Sequence, residues 1–311
     1  MQRTTPTTPA LPPSALAIGE LLWDVLPSGR LLGGAPANCC FRLGQLGVRA
    51  RMASRIGSDA LGEELAAELR ARRFDLSLVQ RDPSLPTGTV DVFLRADGSP
   101  DFTINSGVAY DQLQATDELM QAARESDLIC FGTLIQRSAA ARAALHEILE
   151  AASGAVRFLD INLRKECYSR DTIAASLERA TILKLNSGEV ATIAELLGFA
   201  SLGERARVEE LLRSFDLESV LVTRGEHGVL ALHRSGEEVM LPGIPVAVAD
   251  TIGSGDSFSA GFIARRLAGA PLADCCHFGN INGALNASRA GGMPNIRPDE
   301  LDAFIAQHPL G

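Results

Sequence analysis

Nowhere does the 311-residue chain carry an apolar run approaching the ~18 residues that a membrane-spanning helix requires. Its Thr- and Pro-rich opening lacks the basic start and apolar middle of a secretory leader, so residues 1–13 read as a disordered tail on a cytoplasmic protein. No cluster of Lys and Arg stands out. The 29 basic residues are outnumbered by 38 acidic ones, a net charge of −9 that is the wrong sign for wrapping phosphate backbones, which excludes nucleic acid as a main partner. The six cysteines (Cys39, Cys40, Cys130, Cys167, Cys275 and Cys276) form no CxxC pair, and the five histidines show no metal-ligand spacing. Internal repeats and low-complexity linkers are absent as well. What remains is ordinary globular usage, 46% hydrophobic and 22% charged, in a chain long enough to bury a sizeable core.

Short β-rich runs alternate with helical patterns through most of the chain. Strands are expected at 16–19, 51–56, 128–131, 156–160, 181–185 and 219–223, and helices at 59–72, 138–152, 188–197 and 203–215, where apolar residues recur near a 3.6 period. Stacked βαβ units of this kind predict a doubly wound, mainly parallel sheet between helices. Two segments break the rhythm. Residues 21–32 turn at Pro27, Ser28 and Gly29, and residues 87–104 turn at Ala96, Asp97, Gly98 and Ser99; both alternate in the β period and predict a small sheet standing off the main one. Such a flap suits a ligand cover, although a plain surface hairpin would give the same pattern.

Two motifs carry chemistry. In residues 249–264 a strand ends at Asp250 and a helix begins near Gly255. Gly253 and Gly255 let the backbone turn its N–H groups inward, where the positive end of the helix makes a nest for an anion such as phosphate. A carboxylate at Asp256 would compete with that anion unless it takes a proton from a hydroxyl attacking it. An N-cap with a tight turn would also produce this pattern. In residues 31–47, Gly33 and Gly34 precede Pro36 at a first helical turn, with Asn38 facing the same cleft. No Gly-Lys-Ser/Thr follows, so this is not a Walker loop.

Together these motifs resemble the two signatures of the ribokinase-like (PfkB) carbohydrate kinases, and the resemblance runs over essentially the whole chain after the tail. Further matches fall in order between them: Gly19-Glu20 with Asp24, Asp160-x-Asn162-x-Arg164, Lys184-Leu185-Asn186-Ser187-Gly188-Glu189, and Thr223-Arg224-Gly225-x-x-Gly228. Gly-Gly-Ala-Pro-Ala-Asn with Asp-x-Asn-x-Arg and Lys-Leu-Asn-x-x-Glu is most similar to fructokinases. Those enzymes usually carry Leu-Trp shortly after Asp-x-Asn-x-Arg, where this chain has Cys167-Tyr168.

The resemblance implies a kinase domain over residues 14–311, with 21–32 and 87–104 as a β-sheet lid over a sugar. It implies Asp256 as the base, with an anion hole from the backbone of residues 252–255, thus Gly253, Ser254 and Gly255. It implies substrate contacts from Asp24, Gly33, Gly34, Asn38, Asp160, Asn162 and Arg164, and ATP contacts from Lys184, Asn186, Thr223, Gly225, Gly228, Asn280 and Asn282. Glu189 would place Mg2+ through water. Asp250, Ile252, Ala287, Ala290 and Gly292 would form a K+ loop built largely of carbonyl oxygens. The expected reaction is ATP-dependent phosphorylation of a sugar primary hydroxyl, with fructose first. Alternatives are 2-keto-3-deoxygluconate, whose carboxylate Arg164 could pair, then ribose or a nucleoside, and a sugar-binding protein that has lost catalysis. A homodimer through the lid edges is a further expectation.

Overall fold

A computed structural model describes residues 12–94 and 100–310, the side chains of residues 92–94 and 100–101 excepted. The expected tail falls mostly on residues 1–11, and the turn at 96–99 falls wholly, outside the described residues. The N-terminal third runs β1 (Ser14–Ile18), β2 (Leu22–Leu26), β3 (Gly29–Gly33), α1 (Ala35–Gln45), β4 (Arg49–Gly57), α2 (Ala60–Ala71), β5 (Val79–Asp82), β6 (Gly88–Leu94) and β7 (Pro100–Ile104). There follow α3 (Asp117–Arg124), β8 (Leu128–Phe131), α4 (Ala139–Ala151), β9 (Val156–Asp160), α5 (Arg170–Arg179), β10 (Ile182–Asn186), α6 (Ser187–Leu197) and α7 (Glu204–Ser214). The chain closes with β11 (Ser219–Thr223), β12 (Val229–His233), β13 (Glu238–Leu241), α8 (Ser254–Leu267), α9 (Leu272–Ala287) and α10 (Pro298–Gln307).

Nine strands form one sheet in the order β13-β12-β11-β10-β9-β8-β1-β4-β5, parallel from β11 to β5, with β12 and β13 an antiparallel hairpin at one edge. This is the doubly wound architecture that the alternating pattern predicts. The central strands are apolar on both faces because helices cover both. Leu16, Ile129, Leu159, Leu183 and Val220 pack with α3 to α7. Ala15, Cys130, Phe158, Ile182 and Leu221 pack with α1, α8 and α9. The hairpin and β5 are not among the strands expected from sequence; β5, Val-Gln-Arg-Asp, has no apolar alternation to betray it.

Both irregular segments do form a second sheet, in the order β3-β2-β6-β7. Each segment is an antiparallel hairpin, but β2 and β6 join them in parallel, so the small sheet is mixed. Trp23 anchors it from beneath: the ring is buried with Leu32, Met52 and Leu65, and its Nε1 donates to the Leu61 carbonyl at 3.0 Å. At its other end Arg137 donates to the Asn105 carbonyl at 2.7 Å and to the Tyr110 hydroxyl at 2.9 Å. Between the two sheets lies a cavity of about 370 Å³ at the C-terminal ends of the parallel strands, lined by Leu22, Asp24, Val90 and Ile104 from the small sheet. Open parallel sheets leave their crevice at this end because neighbouring loops diverge where the strand order reverses, here between β1 and β8.

Candidate active site

Helix α8 begins at the floor of the cavity. Its N-cap, Gly253, has φ +75°, and a Cβ there would lie 2.6 Å from Gly292 Cα, so glycine is required both for the turn and for the close approach. Among the described residues no side chain caps the helix. Within the turn, the Ile252 N–H donates to Asp250 Oδ1 at 3.0 Å and the Ser254 N–H to the Thr251 carbonyl at 3.2 Å. Among the described residues that leaves the Gly253, Gly255 and Asp256 N–H groups unbonded at the positive end of a 14-residue helix, an arrangement that accepts an anion.

Asp256 stands on this first turn, where Oδ2 accepts from Asn38 Nδ2 at 2.8 Å. Burial, and then the nearby Asp160 carboxylate, push its carboxyl up to about 6, with Lys184 and the Asn38 hydrogen bond pulling the other way. Asn38 is only 4% exposed, and its Oδ1 has no partner among the described residues, a buried acceptor waiting for a donor. Gly292 packs against that carboxamide: a Cβ would meet Nδ2 at 2.5 Å.

Beneath Asp256, Lys184 Nζ lies 3.1 Å from both oxygens of Asp160, and Ser259 Oγ donates to Asp160 Oδ2 at 2.8 Å. Burial would lower the Lys184 ammonium, but Asp160, Glu189 and Asp256 outweigh it and hold it above its usual value, hence charged. Nζ also sits 2.9 Å from where a Gly255 Cβ would be, directly under the free N–H groups. Asp160 therefore differs from expectation. Its carboxylate is engaged by Lys184 and Ser259, and it lines a small adjoining pocket with Glu20 and Asn162 instead of this cavity.

The rim is built differently. Gly33 faces Asp24 across β2 and β3, where any Cβ would overlap the Asp24 carboxylate, and Gly34, at φ +108°, packs on the Glu20 carbonyl. Glu20 substitutes for a missing N-cap, its Oε1 accepting from Ala35 N–H at 3.1 Å. In the sequence Glu20 stands out only as part of the Gly19-Glu20 motif, yet it lines the cavity and burial pushes its carboxyl up to about 7. Burial likewise raises Asp24 to about 6, against the pull of Arg164. Arg164 is exposed at the cavity and makes no ion pair among the described residues. Asn162 lines the cavity at φ +38°, a strained conformation for a side chain with a Cβ.

Glu189 locks that strained turn. Its Oε1 accepts from Leu163 N–H and its Oε2 from Asn186 N–H, both at 2.8 Å, while Asn186 Oδ1 accepts from Glu189 N–H at 3.0 Å in a capping box on α6. Each Glu189 oxygen keeps a lone pair for a water, but neither is free of the backbone, so the donor set fits an aquated magnesium ion and not a stripped one. Beyond α6 an open groove is lined by Asn186, Thr223, Arg224, Gly225 and His227. Gly228, at φ +86°, lies outside it and packs on the Leu241 carbonyl as part of the β12–β13 hairpin. Asn280 Nδ2 donates to the Pro242 carbonyl at 3.1 Å.

Asn282 contradicts its expected place at a nucleotide. It is fully buried, with Oδ1 accepting from Arg42 Nε at 2.9 Å and Nδ2 donating to the Phe278 carbonyl at 2.7 Å, because it points from α9 into the packing against α1 and α8. The carbonyls expected to hold a monovalent cation are partly engaged: Ala287 accepts from Ala249 and Asp250 N–H groups, and Ile252 from Asn286 Nδ2. Asp250 Oδ2 accepts from Gly291 N–H at 2.9 Å. The Ala290 carbonyl has no such engagement among the described residues.

A model of the pfkB family carbohydrate kinases matches residues 29–299. Among curated relatives, the fructokinase of Salmonella typhimurium is 32% identical, covering 81% of this chain and 83% of its own. A 2-dehydro-3-deoxygalactonokinase of Haloferax volcanii is 28% identical, covering 88% and 86%. Among solved structures, the ATP-bound fructokinase of Xylella fastidiosa superposes with a TM-score of 0.82 at 22% identity, over 94% of this chain and 98% of that one.

Proposed function

The chain belongs to the pfkB family of carbohydrate kinases, and we propose that within it Asp256 is the base that deprotonates a primary hydroxyl of fructose for attack on the γ-phosphate of ATP. The observation that carries this reading is the placement of a carboxylate raised to about 6 on the same helical turn as three unbonded N–H groups. A base near neutral pH accepts a proton with little driving-force cost, and the N–H groups answer the charge on the transferring phosphoryl group. Lys184, charged and buried behind Gly255, adds to that field. Asn38 binds one sugar hydroxyl through Oδ1 while aiming Asp256 through Nδ2, and Asp24 takes a vicinal pair.

ATP lies in the groove between Asn186 and Gly225, with Thr223 at its inner end; a fructokinase of the same fold has been solved with ATP bound. A magnesium ion held through water at Glu189 would neutralise phosphate charge. Asp250, Ile252, Ala287, Ala290 and Gly292 would form the loop for K+, each engaged carbonyl keeping a second lone pair for the ion. Residues 14–311 form one kinase domain whose small sheet is the lid over the sugar, excluding water so that the sugar and not solvent receives the phosphate. Its edge strands, β3 and β7, are where a second copy would pair.

Fructose is preferred because Glu20, Asp24 and Asp256 place carboxyl groups around the cavity, which suit hydroxyls as hydrogen-bond partners. Arg164, with no ion pair, favours the second reading, a sugar acid such as 2-keto-3-deoxygluconate, in line with the 2-dehydro-3-deoxygalactonokinase relative. ADP release measured with fructose, ribose, 2-keto-3-deoxygluconate, tagatose and adenosine decides: the highest kcat/KM is expected with fructose. A higher value with the sugar acid replaces that assignment.

A further inference from the structure

Asn286 has no place in any motif of the sequence, yet it is fully buried on α9 with both ends of its carboxamide engaged at the floor of the cavity. Nδ2 donates to the Ile252 carbonyl at 2.8 Å, and Oδ1 accepts from Ser257 Oγ at 2.9 Å. A carbonyl can only accept, so it is the amide nitrogen that must face Ile252. The Ile252 carbonyl and the Gly253 N–H belong to one peptide unit, and in a trans peptide the two point in opposite directions. Whatever holds the carbonyl down therefore aims the N–H up.

We propose that Asn286 is a positioning residue of phosphoryl transfer, which by clamping the Ile252 carbonyl directs the Gly253 N–H into the cavity. The clamp is needed because this peptide unit precedes a glycine at φ +75°, where no Cβ resists rotation of the plane. On its other side the Ile252 N–H is already tied to Asp250, so the 252–253 plane is the one left for α9 to set. Ser257 registers the clamp to α8 itself: its own N–H bonds the Gly253 carbonyl at 2.8 Å, and its hydroxyl fixes the Asn286 oxygen. A second polar contact one turn earlier, Arg42 Nε to Asn282 Oδ1, holds the same face of α9 against α1, and a Gly261 Cβ would lie 2.7 Å from Asn282 Nδ2, so the helices approach closely enough for Asn286 to reach.

The inference rests on reading residues 253–256 as the site of phosphoryl transfer, and its test separates the two. Asn286→Leu removes both bonds; Asn286→Asp keeps the shape and the Ser257 contact but has no N–H for Ile252. In both, kcat with ATP and the preferred sugar should fall 10- to 100-fold with each KM within threefold. The preference for ADP with aluminium fluoride over ADP alone, read by calorimetry, should fall by a like factor, which a general loss of packing would not produce. Folded variants within threefold of the parent on both readouts, or changed in KM alone, overturn the proposal. In the parent protein, ADP with aluminium fluoride should move the Gly253 amide resonance, and an unmoved resonance overturns it even if neither variant folds. Asp256→Asn run in parallel distinguishes the failures: an active Asp256→Asn refutes the site itself, whereas an inactive one beside active Asn286 variants refutes only the clamp.

Discussion

The floor and the rim of the cavity are made of the same residue types and finished in opposite ways. On the floor every charged group already has a partner: Asp160 with Lys184 and Ser259, Asp250 with two backbone N–H groups, Glu189 with two more. At the rim, Asp24 and Arg164 have none among the described residues, and Asn38 keeps a buried oxygen open. The difference teaches where geometry must exist before substrate and where substrate completes it. Charge developing on a phosphoryl group is stabilised best by dipoles that need not reorganise, so the floor is rigid. A sugar supplies its own donors and acceptors, so the rim leaves positions for them.

The sharpest way to break this contrast is to cut the link that Asp256 makes between the two. Asp256→Asn preserves shape and removes the base, and kcat should fall by roughly 10²- to 10⁴-fold with sugar affinity intact. Steady-state kinetics check it, and activity within threefold of the parent rejects the role. In the parent enzyme, because only the deprotonated carboxylate is a base and burial raises it to about 6, the rate should drop below that pH by about tenfold per unit.

Asn38→Ala tests the rim and the floor at once. The sugar KM should rise about tenfold or more while the ATP KM changes little, the cost of a lost hydrogen bond to a buried partner. Its hydrogen bond also lowers the Asp256 carboxyl, so the acid limb of the pH profile should move to higher pH. Equal changes in both KM values, with no movement of that limb, would make Asn38 a packing residue.

A smaller effect separates the substrates. With fructose, Arg164→Ala should change kcat/KM within about threefold; with a sugar acid the lost charge-assisted pair should cost more than about tenfold. The smallest effect concerns stability. Glu20 titrates near 7 when folded against an ordinary value of 4.5, so the folded state holds its proton longer, and the stability it contributes is full below about pH 4.5 and lost as pH rises through 7. Glu20→Gln keeps an acceptor for Ala35 without the charge. Its Tm should exceed the parent's by a few degrees at pH 8 and match it near pH 4.5, and a parallel pair of curves in a thermal-melt series would refute this.

Much of this molecule was legible in its sequence because the signals are local. The βαβ rhythm, the two β-period segments and the glycines around Asp256 depend on neighbours within a few residues, and strands, hairpins and helix starts are decided at that range. What only the tertiary structure decided is which way polar side chains on a buried helix point. Asn282 and Asn286 are four residues apart and share the inner face of α9, whereas Asn280 lies two residues before Asn282, about 200° around the helix, and reaches outward. α9 packs apolar residues on more than one side, so no amphipathic stripe marks its inner face, and its phase is set by where α1 and α8 meet it. The same holds for Asp160, which its motif places beside a substrate and which, engaged by Lys184 and Ser259, lines the small adjoining pocket instead of the cavity.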